Sequence, residues 1–286
     1  MNARIDPSIL ALPEVYYATL PSGIRMPYVA SGSGEPLVFV HGSLCDYRYW
    51  DPQTAVLSRQ FRCVSVSLSH YWPVDDASMY TDFSWKNHVA ELAEFITAMD
   101  IGPVHLVGHS RGGCVAFHLA REYPYLVKSL TLADPGGPLQ SDDGAPEAAL
   151  PPATEALRAQ VAGLIEDGAI ETGLEMFVDS VSMPGIWQKS PAGFRTMAVD
   201  NAATLPKQFR DPLPAYTRAA AGGVSCRTLL IAGQRSPRMY RDNVDSLVEW
   251  MPNAEKRTIL GASHGMNVTH RAEFNRMIEA FVGRAD

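Results

Sequence analysis

Hydrophobic and polar positions follow two different patterns along this chain. Short apolar runs rich in β-branched residues predict buried strands, whereas longer segments with apolar positions three and four residues apart predict helices. Strands are predicted at residues 16–20, 26–30, 36–40, 61–68, 103–107, 129–133, 227–233 and 256–260. Helices are predicted at residues 49–57, 84–99, 114–120, 240–251 and 272–282. Because strands alternate with helices, the pattern predicts a mostly parallel sheet covered on both faces, with the first two strands as an antiparallel edge.

The pattern changes in the middle of the chain. No strand is predicted between Pro138 and Pro214, where helical segments containing Ala and Glu alternate with proline-rich breaks. The alternation of strands and helices then resumes at residues 227–233. We therefore interpret residues 138–213 as a helical cap inserted into one α/β core, whose two parts are residues 1–137 and 214–286.

Composition and charge narrow the class of protein. Hydrophobic residues make up 46% of the 286 positions and the net charge is −7, which indicates a large core and favours neither nucleic acid nor an anionic membrane as a partner. No apolar run approaches the ~20 residues of a membrane span, and residues 1–7 lack the pattern of a signal peptide. The four cysteines form no C-x-x-C pair, which indicates free thiols in a reducing compartment rather than disulfides or a metal site. We expect a cytoplasmic protein that binds neither nucleic acid nor membranes.

A nucleophile is predicted at the end of the strand at 103–107. That strand runs into Gly108-His109-Ser110-Arg111-Gly112, a G-x-S-x-G sequence, and a helical pattern follows. The strand, sharp turn and helix are the context in which this motif forms a nucleophile elbow. The two glycines keep the tip of the turn free of bulk, and the helix aims its unpaired N–H groups at a developing oxyanion. Ser110 is the predicted nucleophile.

Two further segments, like the elbow, directly follow a predicted strand. His41-Gly42 directly follows the apolar run at 36–40, and Gly261-Ala262-Ser263-His264 follows the last predicted strand. In their order and spacing, the three segments resemble the α/β-hydrolase superfamily, and the resemblance covers nearly the whole chain. It implies the α/β-hydrolase fold, with a mostly parallel eight-stranded sheet covered by helices on both faces and an inserted helical cap.

The resemblance also implies roles for particular residues. His264 is expected to act as the base for Ser110, and the backbone N–H groups of Ser43 and Arg111 are expected to form the oxyanion hole. The side chains of Ser43 and Arg111 need carry no chemistry, since the donors are main-chain groups. The resemblance implies no metal and no organic cofactor.

The sequence departs from the superfamily at the third member of the triad. The common acid lies a few residues past Gly233, but Ser236 stands there, and a serine cannot stabilise an imidazolium by charge. Three interpretations remain open: an acid shifted to Asp134 after the strand at 129–133, as in haloalkane dehalogenase-like and lactonase-like branches; Asp242, further along and on a predicted helix; or no acid, as in a weak enzyme or a ligand-binding relative. We favour Asp134, and on that basis we expect Ser236→Ala to have almost no effect.

These residues together predict a serine hydrolase of the carboxylesterase or lactonase type. It would cleave an ester or lactone of a hydrophobic small molecule through an acyl-enzyme. Pockets form between domains and are mostly apolar, so Leu44, Trp187 and Met266 are candidate substrate-binding residues. Two alternatives remain: a C–C bond hydrolase or lyase that uses the same Ser/His pair, and a non-catalytic small-molecule receptor of the same fold.

Overall fold

The computed structural model describes residues 14–74, 81–140 and 150–284. Within these ranges the chain forms the strands β1 (Tyr16–Thr19), β2 (Arg25–Ser31), β3 (Pro36–Val40), β4 (Arg62–Val66), β5 (Val104–His109), β6 (Val127–Ala133), β7 (Leu139–Gln140), β8 (Tyr216–Thr217), β9 (Arg227–Gly233) and β10 (Ala254–Ile259). The helices of the core are α1 (Asp51–Leu57), α2 (Trp85–Ala98) and α3 (Arg111–Glu122), followed after the middle segment by α9 (Arg218–Gly222), α10 (Arg238–Trp250), α11 (Met266–Thr269) and α12 (Arg271–Val282). The middle segment contributes α4 (Pro152–Glu166), α5 (Ile170–Val181), α6 (Ile186–Lys189), α7 (Ala192–Asp200) and α8 (Thr204–Arg210).

Eight of the strands form one sheet in the order β1-β2-β4-β3-β5-β6-β9-β10. The neighbours from β4 to β10 pair in parallel, whereas β1 with β2 and β2 with β4 pair antiparallel. The predicted mostly parallel eight-stranded sheet with an antiparallel edge is confirmed. The strand order reverses beside β3 and β5, and in open α/β sheets ligands bind at the carboxyl ends of the strands at such a point.

Burial on both faces explains why the central strands read as continuous apolar runs. All six residues of β5 and four of the five residues of β3 are buried. In β3, Val38 packs into the cluster that contains α2, α3 and α10, while Phe39 packs into the opposite cluster with α1 and α12. Alternate residues of one strand therefore belong to two cores, one on each face of the sheet.

A separate apolar cluster lies in the middle segment. Its members come from α4 to α8, including Val161, Leu174 and Leu205, and Leu44 from the loop after β3 joins them. We name residues 152–210 the helical layer. The two-residue strands β7 and β8 pair in parallel beside it, and β7 differs from the prediction of no strand between Pro138 and Pro214. A two-residue strand is too short to produce an alternating pattern.

The helical layer lies over the carboxyl edge of the main sheet. Gln208 accepts a hydrogen bond of 2.6 Å from Ser43 after β3, and the Nδ2 of Asn201 donates to Asp46 at 2.7 Å. The Oγ atoms of Ser182 and Ser263, the latter after β10, lie 3.3 Å apart. Among the described residues, no helix combines the length and the apolarity needed to cross a membrane.

Candidate active site

Ser110 lies at the tip of the turn between β5 and α3. Its backbone has φ of 52° and ψ of −123°, a conformation that residues other than glycine rarely adopt. The backbone N–H of Ser110 donates to the carbonyl of Ala133, and its own carbonyl accepts from the N–H groups of Gly113 and Gly136, at 3.1, 2.9 and 2.9 Å respectively. These bonds from β6 and α3 hold the turn in its strained form.

The first turn of α3 packs closely against the end of β3. A Cβ atom at Gly112 would overlap the carbonyl oxygens of Val40 and His41. A Cβ atom at Gly42 would lie 2.9 Å from the Cβ of Ser110, so the loop after β3 also touches the nucleophile candidate. Glycine at these two positions is what lets the two loops meet.

Two more strand ends carry the same kind of strain. Leu44, in the loop after β3, has φ of 61°, and Asp134, directly after β6, has φ of 41°. With Ser110 after β5, three neighbouring strands of the sheet each end near a non-glycine residue with positive φ. Such residues cost about 1–3 kcal/mol each and tend to cluster at active sites.

Asp134 and His264 form a buried pair at this edge. The Nδ1–H of His264 donates to Oδ2 of Asp134 at 3.1 Å, and the two residues are 8% and 0% exposed. In a neutral ring this bond leaves Nε2 as the nitrogen able to accept a proton. The structure therefore brings together the acid and base residues that the sequence predicted, while the alternative Asp242 is ion-paired with Arg238 at the surface.

The carboxylate of Asp134 has further donors that the sequence did not predict. Ser236 donates its hydroxyl to Oδ2 of Asp134 at 2.5 Å, and the backbone N–H of Gly233 faces Oδ1 at 3.4 Å. Ser236 is 2% exposed, so its hydroxyl is held in place. The residue in the usual acid position thus orients the shifted carboxylate, which argues against the expectation that Ser236 is idle.

The imidazole of His264 is enclosed between two other rings. The ring of Tyr240, at the start of α10, stacks on it with a centroid distance of 4.0 Å and an interplanar angle of 21°. The ring of His109 lies 4.5 Å away on a second side, and its Nε2–H donates to the backbone carbonyl of His264 at 2.8 Å. Burial lowers the pKa of His109 well below its ordinary value, so that ring is neutral.

Tyr240 also lies within range of the nucleophile candidate, because Ser110 is one of the groups that influence the pKa of its hydroxyl. Burial and the nearby Asp134 raise that pKa above its ordinary value, so the hydroxyl keeps its proton at neutral pH. The sequence patterns predict neither Tyr240 nor His109 as a residue of the site. The only signal for His109 was its place beside Ser110 in the motif, and Tyr240 gave none beyond the start of a predicted helix.

His41 braces the loop that contains Ser43. Its Nε2 accepts the backbone N–H of Leu68 at 3.0 Å, so Nδ1 carries the proton and donates to the carbonyl of Gly42 at 2.9 Å. Burial lowers the pKa of His41 to about 4, which keeps the ring neutral in this bridging role. The ring therefore fixes the peptide unit that contains the N–H group of Ser43, since the carbonyl of Gly42 belongs to the same unit.

The backbone N–H groups of Ser43 and Arg111 have no acceptor among the described residues. Within the described ranges, neither donates a hydrogen bond to another group of the protein. The side chains point to other partners, because the hydroxyl of Ser43 donates to Gln208 and the guanidinium of Arg111 bonds Asp211 at 2.7 Å. Two free main-chain donors beside Ser110 are the arrangement that an oxyanion hole requires.

The three candidate substrate-binding residues lie in apolar cores. Leu44 and Trp187, 1% and 2% exposed, share the cluster of the helical layer. Met266 is fully buried in the core on the α1 and α12 side of the sheet, with Phe274. The structure brings Leu44 and Trp187 together and places Met266 apart from them, and the role of all three in substrate binding stays a prediction.

Known proteins resemble this chain over most of its length. The 2-hydroxymuconate semialdehyde hydrolase of Pseudomonas sp. (strain CF600) is 24% identical, and the match covers 96% of both proteins. The bromoperoxidase from Bacillus anthracis superposes with a TM-score of 0.79 at 22% identity, covering 95% of this chain and 100% of that one. Carboxylesterase CesB from Bacillus subtilis superposes with a TM-score of 0.77 at 16% identity, covering 97% and 94%.

Other similarities cover a smaller share of the matched protein. Several curated relatives match over only 30% to 41% of their own length, so the chain spans less than half of them. The solved structures share the fold over nearly the whole chain. Residues 37–277 match the model of the alpha/beta hydrolase family, which includes the elbow, Asp134 and His264, and the chain therefore belongs to that family.

Proposed function

We propose that the protein is a serine hydrolase that cleaves a carboxylic ester or lactone of a hydrophobic small molecule through an acyl-enzyme. The observation that carries the proposal is the 3.1 Å hydrogen bond from His264 to Asp134 beside the strained turn at Ser110. A carboxylate that accepts from Nδ1–H fixes the tautomer in which Nε2 can act as a base.

In the proposed reaction, His264 takes the hydroxyl proton of Ser110 as the oxygen attacks the carbonyl carbon of the ester. The backbone N–H groups of Ser43 and Arg111 stabilise the oxyanion, and Asp134 stabilises the imidazolium. His264 then gives the proton to the leaving alcohol, and an acyl group remains on Ser110. Water deprotonated by His264 attacks this ester and releases the acid.

The proposed cap belongs to the same hypothesis. Residues 138–213 would form a cap over a core of residues 1–137 and 214–286, and the contacts of Gln208 and Asn201 with the loop after β3 support this division. Ser110 is only 8% exposed, so substrate must enter beneath or through this layer. Cap side chains would then select the substrate, with the chemistry left to the core.

The receptor alternative depended on the missing acid after Gly233. The position of Asp134 removes that reason, because a carboxylate contacts His264 from another strand. The similarity to carboxylesterase CesB supports the fold, but it does not indicate which ester would be cleaved. The enzyme is therefore the better-supported of the two hypotheses.

C–C bond hydrolysis is a second candidate function. The match to a 2-hydroxymuconate semialdehyde hydrolase over 96% of both chains favours it. The same Ser/His pair would be used, so the residues of the site do not separate the two reactions. Product analysis on matched esters and diketones would separate the two reactions. Alcohol release from the esters without cleavage of the diketones supports ester hydrolysis, and faster cleavage of the diketones contradicts it.

The main experiment is a rate comparison on 4-nitrophenyl esters of graded chain length, with lactones in parallel. Ser110→Ala should lower kcat by about 10⁴ and abolish labelling by a fluorophosphonate probe. Ser182 is a serine of the helical layer outside the proposed machinery. Ser182→Ala therefore serves as the matched control and should keep both the wild-type kcat and the labelling. Ester turnover in Ser110→Ala near the wild-type rate would contradict the proposal.

A further inference from the structure

An arginine of the helical layer lies close to residues of the candidate active site and has no charged partner in the part of the chain that the structure describes. Arg158 is on α4 and is half-buried, and its guanidinium carbon lies 5.5 Å from the ring centroid of Phe209 on α8. The neighbouring Gln208 holds the hydroxyl of Ser43. The same turn of α8 therefore contacts both Arg158 and the loop expected to stabilise the oxyanion.

The electrostatic neighbours of Arg158 also belong to the site. The guanidinium lies within electrostatic range of the Tyr240 hydroxyl, whose ring stacks on His264, and of Arg111, which directly follows Ser110. Burial lowers the pKa of Arg158 and the nearby Arg111 lowers it further, yet an arginine keeps its charge at neutral pH. The guanidinium is thus partly desolvated near Tyr240 and Arg111.

The two arginines differ in their partners. Arg111 is neutralised by Asp211 at 2.7 Å, whereas no carboxylate within the described ranges pairs with Arg158. Charges removed from water are normally paired, because the desolvation of an unpaired charge is costly. One positive charge therefore lies near Tyr240 and Arg111 with no compensating carboxylate among the described residues, and it matches a ligand with one negative charge.

We propose that Arg158 binds a carboxylate on the part of the substrate that does not react, so that the preferred substrates are half-esters or carboxylated lactones. A guanidinium offers two parallel N–H donors that fit the two oxygens of a carboxylate. The ring of Phe209 packs beside the guanidinium and limits its movement. This inference rests on the proposed ester hydrolysis and names its substrate class.

The test compares two substrates that differ only in charge. Monomethyl glutarate carries a carboxylate where methyl 4-carbamoylbutanoate carries a neutral amide of nearly the same shape. Monomethyl succinate and adipate vary the distance between charge and ester, and 4-acetoxybutanoate moves the charge to the alcohol side. The wild-type enzyme should prefer the best acid over its amide by at least about tenfold in kcat/KM, mainly through KM, since the contact is the same in ground and transition states.

Variants of Arg158 then show whether it is the cause. Arg158→Gln should lower kcat/KM for the acid by about tenfold to a hundredfold, as expected for a hydrogen bond to a charged group, and leave the amide within about twofold. Arg158→Lys should keep part of the preference. Arg210→Gln removes an exposed arginine of the same layer, which is paired with Glu166, and should leave the preference intact.

A binding measurement separates this inference from the proposed function. Calorimetry on Ser110→Ala with the same acid and amide should show tighter binding of the acid, lost in the Ser110→Ala, Arg158→Gln double variant. Acid and amide treated alike by an enzyme that hydrolyses neutral 4-nitrophenyl esters would overturn the inference and leave the function standing. If the protein binds the acid preferentially through Arg158 but cleaves no ester, the inference stands and the proposed function is overturned.

Discussion

At the scale of single residues, the site depends on how Asp134 is held. Its carboxylate accepts from His264 at 3.1 Å and from Ser236 at 2.5 Å, and both contacts converge on Oδ2. Asp134 is fully buried, so water cannot replace either partner. Removal of the charge and removal of the serine donor should therefore have different and measurable effects.

Asp134→Asn should lower kcat on a 4-nitrophenyl ester by about 10⁴, by analogy with the serine proteases, because the amide favours the wrong tautomer of His264. Steady-state kinetics with a check of folding by circular dichroism would measure this. Asp242→Asn is the control, since Asp242 is ion-paired with Arg238 at the surface. Equal losses in the two variants would contradict a role for Asp134 as the acid.

Ser236→Ala should lower kcat by about tenfold with little change in KM. The variant removes one hydrogen bond to a carboxylate, a contact worth about 1.5–3 kcal/mol, and the remaining contacts still hold Asp134 near His264. The sequence alone led to the expectation of almost no effect. An unchanged kcat would support that earlier expectation and show that the 2.5 Å contact does not influence catalysis.

At the scale of elements, the end of α8 ties the helical layer to the core. Asp211, directly after α8, binds the guanidinium of Arg111 at 2.7 Å and accepts the backbone N–H of Trp85 at 2.7 Å. One carboxylate thus joins the layer to the first residues of α2 and of α3. The Arg111 side chain is 5% exposed, so the pair is largely removed from water.

Asp211→Ala should lower the free energy of unfolding by about 3 kcal/mol, because it leaves a buried arginine without its partner. Urea denaturation followed by fluorescence would measure the change. Asp242→Ala breaks an exposed pair and should cost less than about 1 kcal/mol. Similar losses for the two variants would mean that the Arg111 pair is no stronger than a surface pair.

The core elements could be predicted because their patterns are local. The apolar run at Pro36–Val40 predicts a buried strand, and the spacing of apolar positions at Trp85–Ala98 predicts a helix with one buried face. Each pattern lies within the segment's own sequence. The contacts of Ser236 and Tyr240 could not be predicted, because each joins residues from different strands and helices. No local pattern marks Arg158 either, since its lack of a partner is a property of the folded layer.

At the scale of the whole molecule, buried histidines should make stability depend on pH. Burial lowers the pKa of six rings, and it reaches about 4 for three of them, His41, His70 and His118. A depressed pKa means that the unfolded chain binds protons that the folded chain excludes. The contribution is present above the ordinary value of 6.5 and is lost as the pH falls toward 4.

The free energy of unfolding should therefore decrease steeply between about pH 6.5 and pH 4.5, with His41 alone accounting for up to about 3 kcal/mol by pH 4. Glu91 and Asp51 act in the opposite direction, since burial raises their pKa values to about 7 and about 6 and favours the protonated folded forms at low pH. Six histidines outweigh these two carboxyl groups. Thermal denaturation at a series of pH values measures the effect, and a midpoint that stays constant from pH 7 to pH 4.5 would contradict it.

In the proposed mechanism Ser110, activated by His264 and Asp134, carries the acyl group during turnover. The most direct measurement is mass spectrometry of the protein quenched during its reaction with 4-nitrophenyl acetate, followed by digestion and mapping of the acetyl group. We expect one acetyl group per chain, on the peptide that contains Ser110, and none in His264→Ala over the same time. Turnover of the ester with no acyl group on Ser110, or with the acyl group on another residue, would contradict it.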